Sequence, residues 1–101
     1  MATENRTVRL SPKAEQDLEA IWIYTAENWS VALADRYTSL IIEAFNDLAD
    51  GKVIGREATV RSGYLKFLVG SHCIFYRSNS DSYLDVIRIL HQRMDAELHM
   101  N

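Results

Sequence analysis

The sequence predicts an α+β domain of order β-α-α-β-β-β, with a helical hairpin packed on one face of a mostly antiparallel sheet. Two observations predict it. Apolar residues recur at helical spacing between Ser11 and Leu48, whereas from Tyr64 they gather into short runs rich in aromatic and β-branched residues. Turn-forming sequences, Asp50-Gly51, Gly70-Ser71 and the SNSDS run, punctuate those segments. Helices followed by a block of strands indicate a hairpin laid on a sheet rather than alternating β-α units.

The elements follow in order. TVRL alternates, with Val8 and Leu10 on one face, and reads as a short first strand. Ser11-Pro12 then supplies an N-cap and a proline at the first helical position. Ala14, Leu18, Ile21, Trp22, Thr25 and Trp29 lie along one face of the helix that starts there, and Ile23 and Tyr24 lie on its flank. Ser30 caps a second helix whose stripe is Leu33, Tyr37, Leu40, Ile41, Ala44, Phe45 and Leu48, stopped by Asp50-Gly51. The short connection makes the two helices an antiparallel hairpin. KVIGREATVRSG has no clear period and reads as a loop long enough to raise the question of function. YLKFLV, HCIFYR and YLDVIRIL form a three-stranded meander, and the last of them is apolar enough for a central strand.

At 101 residues, with 48% hydrophobic and 25% charged residues, the chain has the size and composition of one globular domain spanning 1–101. The polar N-terminus lacks the apolar stretch of a signal peptide and no segment is long enough to span a bilayer, so a cytoplasmic location and no membrane association are expected. A single cysteine, Cys73, gives neither an internal disulfide nor paired zinc-ligand spacing, and no metal or cofactor is expected. The net charge of -3 argues against broad electrostatic binding of nucleic acid. The charge is uneven, however: residues 1–59 are acidic and residues 60–93 carry five Lys/Arg against two Asp/Glu.

The order of elements, together with the Gly63-Tyr64 start, Val69-Gly70, His72, the Ile74-Phe75-Tyr76-Arg77 strand and the terminal Leu90-His91-Gln92-Arg93-Met94-Asp95, resembles the ParE branch of the RelE/ParE toxin superfamily over essentially the whole chain. One departure is Leu65, where similar sequences often carry a basic residue; Lys66 beside it keeps a charge. The resemblance implies the toxin of a type II toxin–antitoxin system that inhibits bacterial DNA gyrase and is neutralised by a ParD-like antitoxin. It further implies that operator DNA is met only through the antitoxin, and it leaves a homodimer open. The RelE branch shares the fold but cuts messenger RNA on the ribosome, so fold alone does not choose between mechanisms. A third reading is a non-toxic fold kept as an antitoxin-binding corepressor.

A ribosome-dependent nuclease needs an acid or base and cations around one phosphate. Arg77 as phosphate clamp, His91 as acid or base, and Arg61 and Lys66 in support are the residues that could supply them. Arg77 paired with Asp81 or Asp85 and His91 ending the sheet edge are the structural alternatives. The net acidity and the lack of a lysine cluster weigh against the nuclease, and no catalytic residue is assigned on the leading reading. A gyrase poison needs instead a surface that fits one state of its target. The tail 91–101 is expected to carry it, through His91, Gln92, Arg93, Met94 and Asp95, because Arg and Met suit irregular protein interfaces. Met94 and Leu98 docking the C-terminus is the alternative. Ile23, Tyr24 and Tyr37 are the candidates for a helical wall that receives the antitoxin.

Overall fold

The computed structural model describes residues 5–78, 80–94 and 96–99. Its elements are β1 (Thr7–Leu10), α1 (Pro12–Asn28), α2 (Val31–Ala49), β2 (Arg56–Glu57), β3 (Leu65–Val69), β4 (His72–Ser78), β5 (Tyr83–His91) and a last helical turn, α3 (Ala96–His99). The five strands form one sheet in the order β1-β5-β4-β3-β2. Only β1 runs parallel to its neighbour, pairing Val8 with Leu84 and Leu10 with Val86 on β5. The meander and the central place of the last strand are as expected from its apolar sequence.

Capping chemistry sets the hairpin. Ser11 and Ser30 accept the Ala14 and Leu33 amides, each at 3.0 Å, and so begin α1 and α2. The Trp22 indole donates to Asp35 at 2.8 Å and ties the two helices together. At the end of α2, Gly51 adopts φ +77°, its amide reaches the Leu48 carbonyl and the Lys52 amide reaches the Asp47 carbonyl. That pair of bonds is a Schellman closure, which favours glycine at the left-handed position. Arg6 completes the same end by donating to the Leu48 and Ala49 carbonyls at 2.7 and 3.3 Å, while also meeting the Ser78 hydroxyl.

The main core lies between the hairpin and one sheet face: Ile21, Ile41, Phe45 and Leu48 against Ile74, Tyr76, Leu84, Val86 and Ile89. Ala34, Thr38 and Ala49 are buried beside the predicted stripe of α2, whereas Leu33 and Leu40 at its edges are exposed. The expected 52–63 loop is corrected in part. Arg56–Glu57 add a two-residue edge strand, and residues after it fold across the second sheet face. There Ala58 and Tyr64 join Cys73, Phe75 and Leu90 in a smaller core that Ala96 of the tail also packs against. A two-residue strand carries no period, so the sequence pattern had no signal for it.

The junction of β5 with α1 positions the tail. A bulge between Phe75 and Tyr76 shifts the register, so that Phe75 faces Arg88 and Tyr76 faces Val86. Beyond Leu10, where β1 ends, α1 takes over the open edge of β5. The Ser11 amide donates to the Val86 carbonyl at 2.9 Å, the Ser11 hydroxyl to the Ile87 carbonyl at 2.6 Å, and the Ile89 amide to Asp17 at 2.9 Å. Polar side chains thus complete a ladder that backbone pairing leaves unfinished.

Candidate functional site

The last strand ends at His91, and the backbone turns there at once. The Gln92 amide donates to the Ser71 carbonyl at 2.9 Å, Arg93 donates its amide to His91 Nδ1 at 3.1 Å, and the Met94 amide returns to the His91 carbonyl at 2.9 Å. Gln92, Arg93 and Met94 are therefore held on a turn at a corner of the sheet with their side chains exposed. Asp95 lies outside the described residues. Met94 is 47% exposed and Leu98 74%, so neither docks the chain end. Ala96 does so, together with Arg88.

Arg88 is the tail's anchor. Its guanidinium donates to both Asp17 oxygens, at 2.8 and 2.9 Å, and to the His99 carbonyl at 2.6 Å. The half-shielded bidentate pair holds the Arg88 proton more firmly than usual, chiefly through the Asp17 bond, with burial opposing it. One side chain thus ties α1, β5 and α3. Its charge is therefore taken up within the fold.

On the helical side of the corner lies a groove between α1 and the strand ends. One part, about 330 Å³, is lined by Tyr24, Trp29, Leu33, Tyr37, His72 and His91, among others. A second part of about 350 Å³ continues along Tyr24, Thr25, Ile89 and Met94. The Tyr37 hydroxyl organises its floor: it lies 2.7 Å from His72 Nδ1, accepts the Ser71 amide at 3.0 Å and donates to the Val69 carbonyl at 3.3 Å. A Cβ on Gly70, which has φ +57°, would strike the Tyr37 ring, so glycine is needed there for both reasons. The His72 ring stands 5.3 Å from that of His91, edge to face. Burial, and after it the charge of His91, depresses the His72 pKa, with Asp17 acting the other way.

His72 is the site residue that the sequence reading missed. It opens β4, as the first residue of the HCIFYR run, and takes part in the groove floor, a role that the sequence reading did not assign to it. The signal was available: His72, Ile74 and Tyr76 alternate with Cys73 and Phe75, which places His72 on the helix-facing side. Of the proposed antitoxin wall, Tyr24 and Tyr37 share this groove, while Ile23 is exposed on the outer part of α1.

The second sheet face holds the remaining cations. Arg61 and Arg77 gather at the Tyr64 ring, 5.7 and 5.9 Å from its centroid. Asp85 is engaged by Arg9 at 2.7 and 3.1 Å rather than by Arg77. Lys66 instead faces a separate concavity of about 450 Å³, bounded by β2 and the tail, which His91, Gln92 and Met94 also line. The four residues of the nuclease reading are thus split in two: Arg61 with Arg77, and Lys66 with His91. Cys73 is buried and its thiol pKa is raised, first by burial, which makes it a packing residue rather than a nucleophile. Among the described residues no helix is long and apolar enough to cross a membrane.

Comparison with known proteins adds to this geometry. The family model described as the ParE toxin of the type II toxin-antitoxin system, parDE, matches residues 8–96. Toxin ParE1 of Mycobacterium tuberculosis is 40% identical over 92 residues, covering 90% of this chain and 94% of the relative. Toxin ParE1 of Caulobacter vibrioides is 34% identical over 93 residues, covering 91% and 95%. Among solved structures, the chromosomal ParDE toxin–antitoxin system from P. aeruginosa superposes with a TM-score of 0.77 at 17% identity, over 90% of this chain and 98% of that one.

Proposed function

The chain belongs to the ParE toxin family of type II toxin–antitoxin systems, and on that premise we propose that it inhibits bacterial DNA gyrase and is held inactive by a ParD-like antitoxin. The observation that supports inhibition without a reaction is the division of the sheet cations. Arg61 and Arg77 sit at Tyr64, whereas His91 has Nδ1 bonded to the Arg93 amide and its ring against His72. Among the described residues Arg77, the clamp of the nuclease reading, does not stand with His91, its acid or base, whereas that reading needs the two at one phosphate. In this reading the exposed turn of His91, Gln92, Arg93 and Met94, with Asp95, meets the gyrase–DNA complex.

The antitoxin takes the helical groove. Its walls are apolar, Tyr24 is 59% exposed, and the helices around it are acidic, which suits an amphipathic segment bearing basic residues. Tyr24 and Tyr37 supply the wall of that groove, and Ile23 does not line it. Operator DNA is reached only through the antitoxin, the target places the toxin in the cytoplasm, and no cofactor enters. The test is purified toxin in a gyrase supercoiling assay beside a translating-ribosome assay. Lost supercoiling with accumulated cleaved DNA and intact messenger RNA is the expected result. Intact supercoiling with cut messenger RNA would move the chain to the nuclease reading.

A further inference from the structure

Gly55 lets β2 approach the sheet. A Cβ there would collide with the Lys66 carbonyl and the Tyr76 hydroxyl, and the Gly55 amide donates to that hydroxyl at 2.8 Å. The close approach sets Arg56 directly opposite Lys66 in the antiparallel register. Residues so paired project from the same sheet face, and like charges placed there repel. Among the described residues neither cation is paired with a carboxylate. Both line the concavity of about 450 Å³ whose floor includes the buried Phe75 and Leu90 and whose far rim is Gln92 and Met94.

We propose that this concavity is a binding site for a phosphate of a DNA backbone, clamped between Arg56 and Lys66. A phosphodiester set between two facing cations accepts hydrogen bonds from both and relieves their mutual repulsion. The apolar floor and the exposed Leu68 and Ile54 accommodate the adjoining sugar and base, and Gln92 adds an amide group at the rim. An oligoglutamate peptide is the poorer occupant, because it brings no sugar or base to lie against Phe75, Leu90, Leu68 and Ile54. The site adjoins the tail, so it deepens the gyrase reading and rests on it for the source of the strand: the tail meets the enzyme and the clamp meets the DNA it holds.

The experiment is an NMR titration of the labelled full chain with a thymidine tetranucleotide, with inorganic phosphate and with an oligoglutamate peptide as comparison arms. Shifts are expected at Arg56, Lys66 and Gln92 with the tetranucleotide, weaker ones at the same residues with phosphate, and none with the peptide. The Arg56→Gln/Lys66→Gln variant should weaken tetranucleotide binding about tenfold and lower the slope of log affinity against log salt by about 1.4, the value for two cations on a single strand. Its unfolding midpoint should not fall, since it removes a repulsion. Tighter binding of the peptide, phosphate binding as tight as the tetranucleotide, or a variant with unchanged affinity and salt slope would each overturn the proposal. Tetranucleotide binding by a toxin that leaves gyrase active would remove the gyrase reading alone; gyrase poisoning without tetranucleotide binding would remove this one alone.

Discussion

Two side chains show how much of the corner's behaviour is set by single groups. The Tyr37 hydroxyl serves His72, Ser71 and Val69 at once, so Tyr37→Phe should cost about 1–3 kcal/mol, the penalty for leaving half-buried polar groups unpaired. Urea denaturation of the variant measures it, and an unchanged midpoint would mean that the hydroxyl network contributes nothing. His72 predicts a pH dependence. Its folded-state pKa is depressed below the usual 6.5, so the unfolded chain takes up the proton first as pH falls. The neutral ring's contribution is complete above that value and is lost as pH falls below it toward the folded-state pKa. Stability should therefore decline as pH falls through the usual 6.5 of the unfolded chain, and His72→Gln should flatten that decline in urea midpoints taken across neutral to mildly acidic pH. His72 was legible in the alternation of β4; Arg56 was not, because two strand residues after a glycine carry no pattern of their own.

Elements meet through a few polar contacts whose loss should spread. Asp17 closes the open edge of β5 and fixes Arg88, which in turn holds α3. Asp17→Asn should cost about 2–3 kcal/mol, less than a fully buried pair because both side chains retain some exposure. It should also release the tail, which hydrogen exchange at the α3 amides would register; protection equal to the parent chain would leave Arg88 with no anchoring role. At the end of α2, Gly51→Ala places a Cβ in the left-handed region and should cost about 1–2 kcal/mol in thermal or urea unfolding. The caps of both helices and the glycine stop were readable from Ser11-Pro12, Ser30 and Asp50-Gly51, since those residues act locally. The Asp17–Arg88 pair, 71 residues apart in sequence, was not, because nothing local joins an acid on a helix to an arginine on the last strand.

At the scale of the molecule, the helical hairpin on a meander followed from the change of apolar period, and the parallel pairing of β1 with β5 did not, since period reports faces and not neighbours. The same limit applies to function. The sequence offered Arg61, Lys66, Arg77 and His91 as one set, and only their placement separates Arg61 and Arg77 from the other two. On the proposed function, the exposed tail turn rather than a catalytic set stops the target. The measurement that reaches this most directly is accumulation of gyrase-cleaved DNA by two purified variants, Arg93→Ala/Met94→Ala and Arg61→Ala/Arg77→Ala, each first shown to bind antitoxin as the parent does. The tail variant should lose poisoning by tenfold or more, about 1.4 kcal/mol of target binding, and the sheet variant should keep it. A tail variant that poisons normally beside an inactive sheet variant would contradict the account.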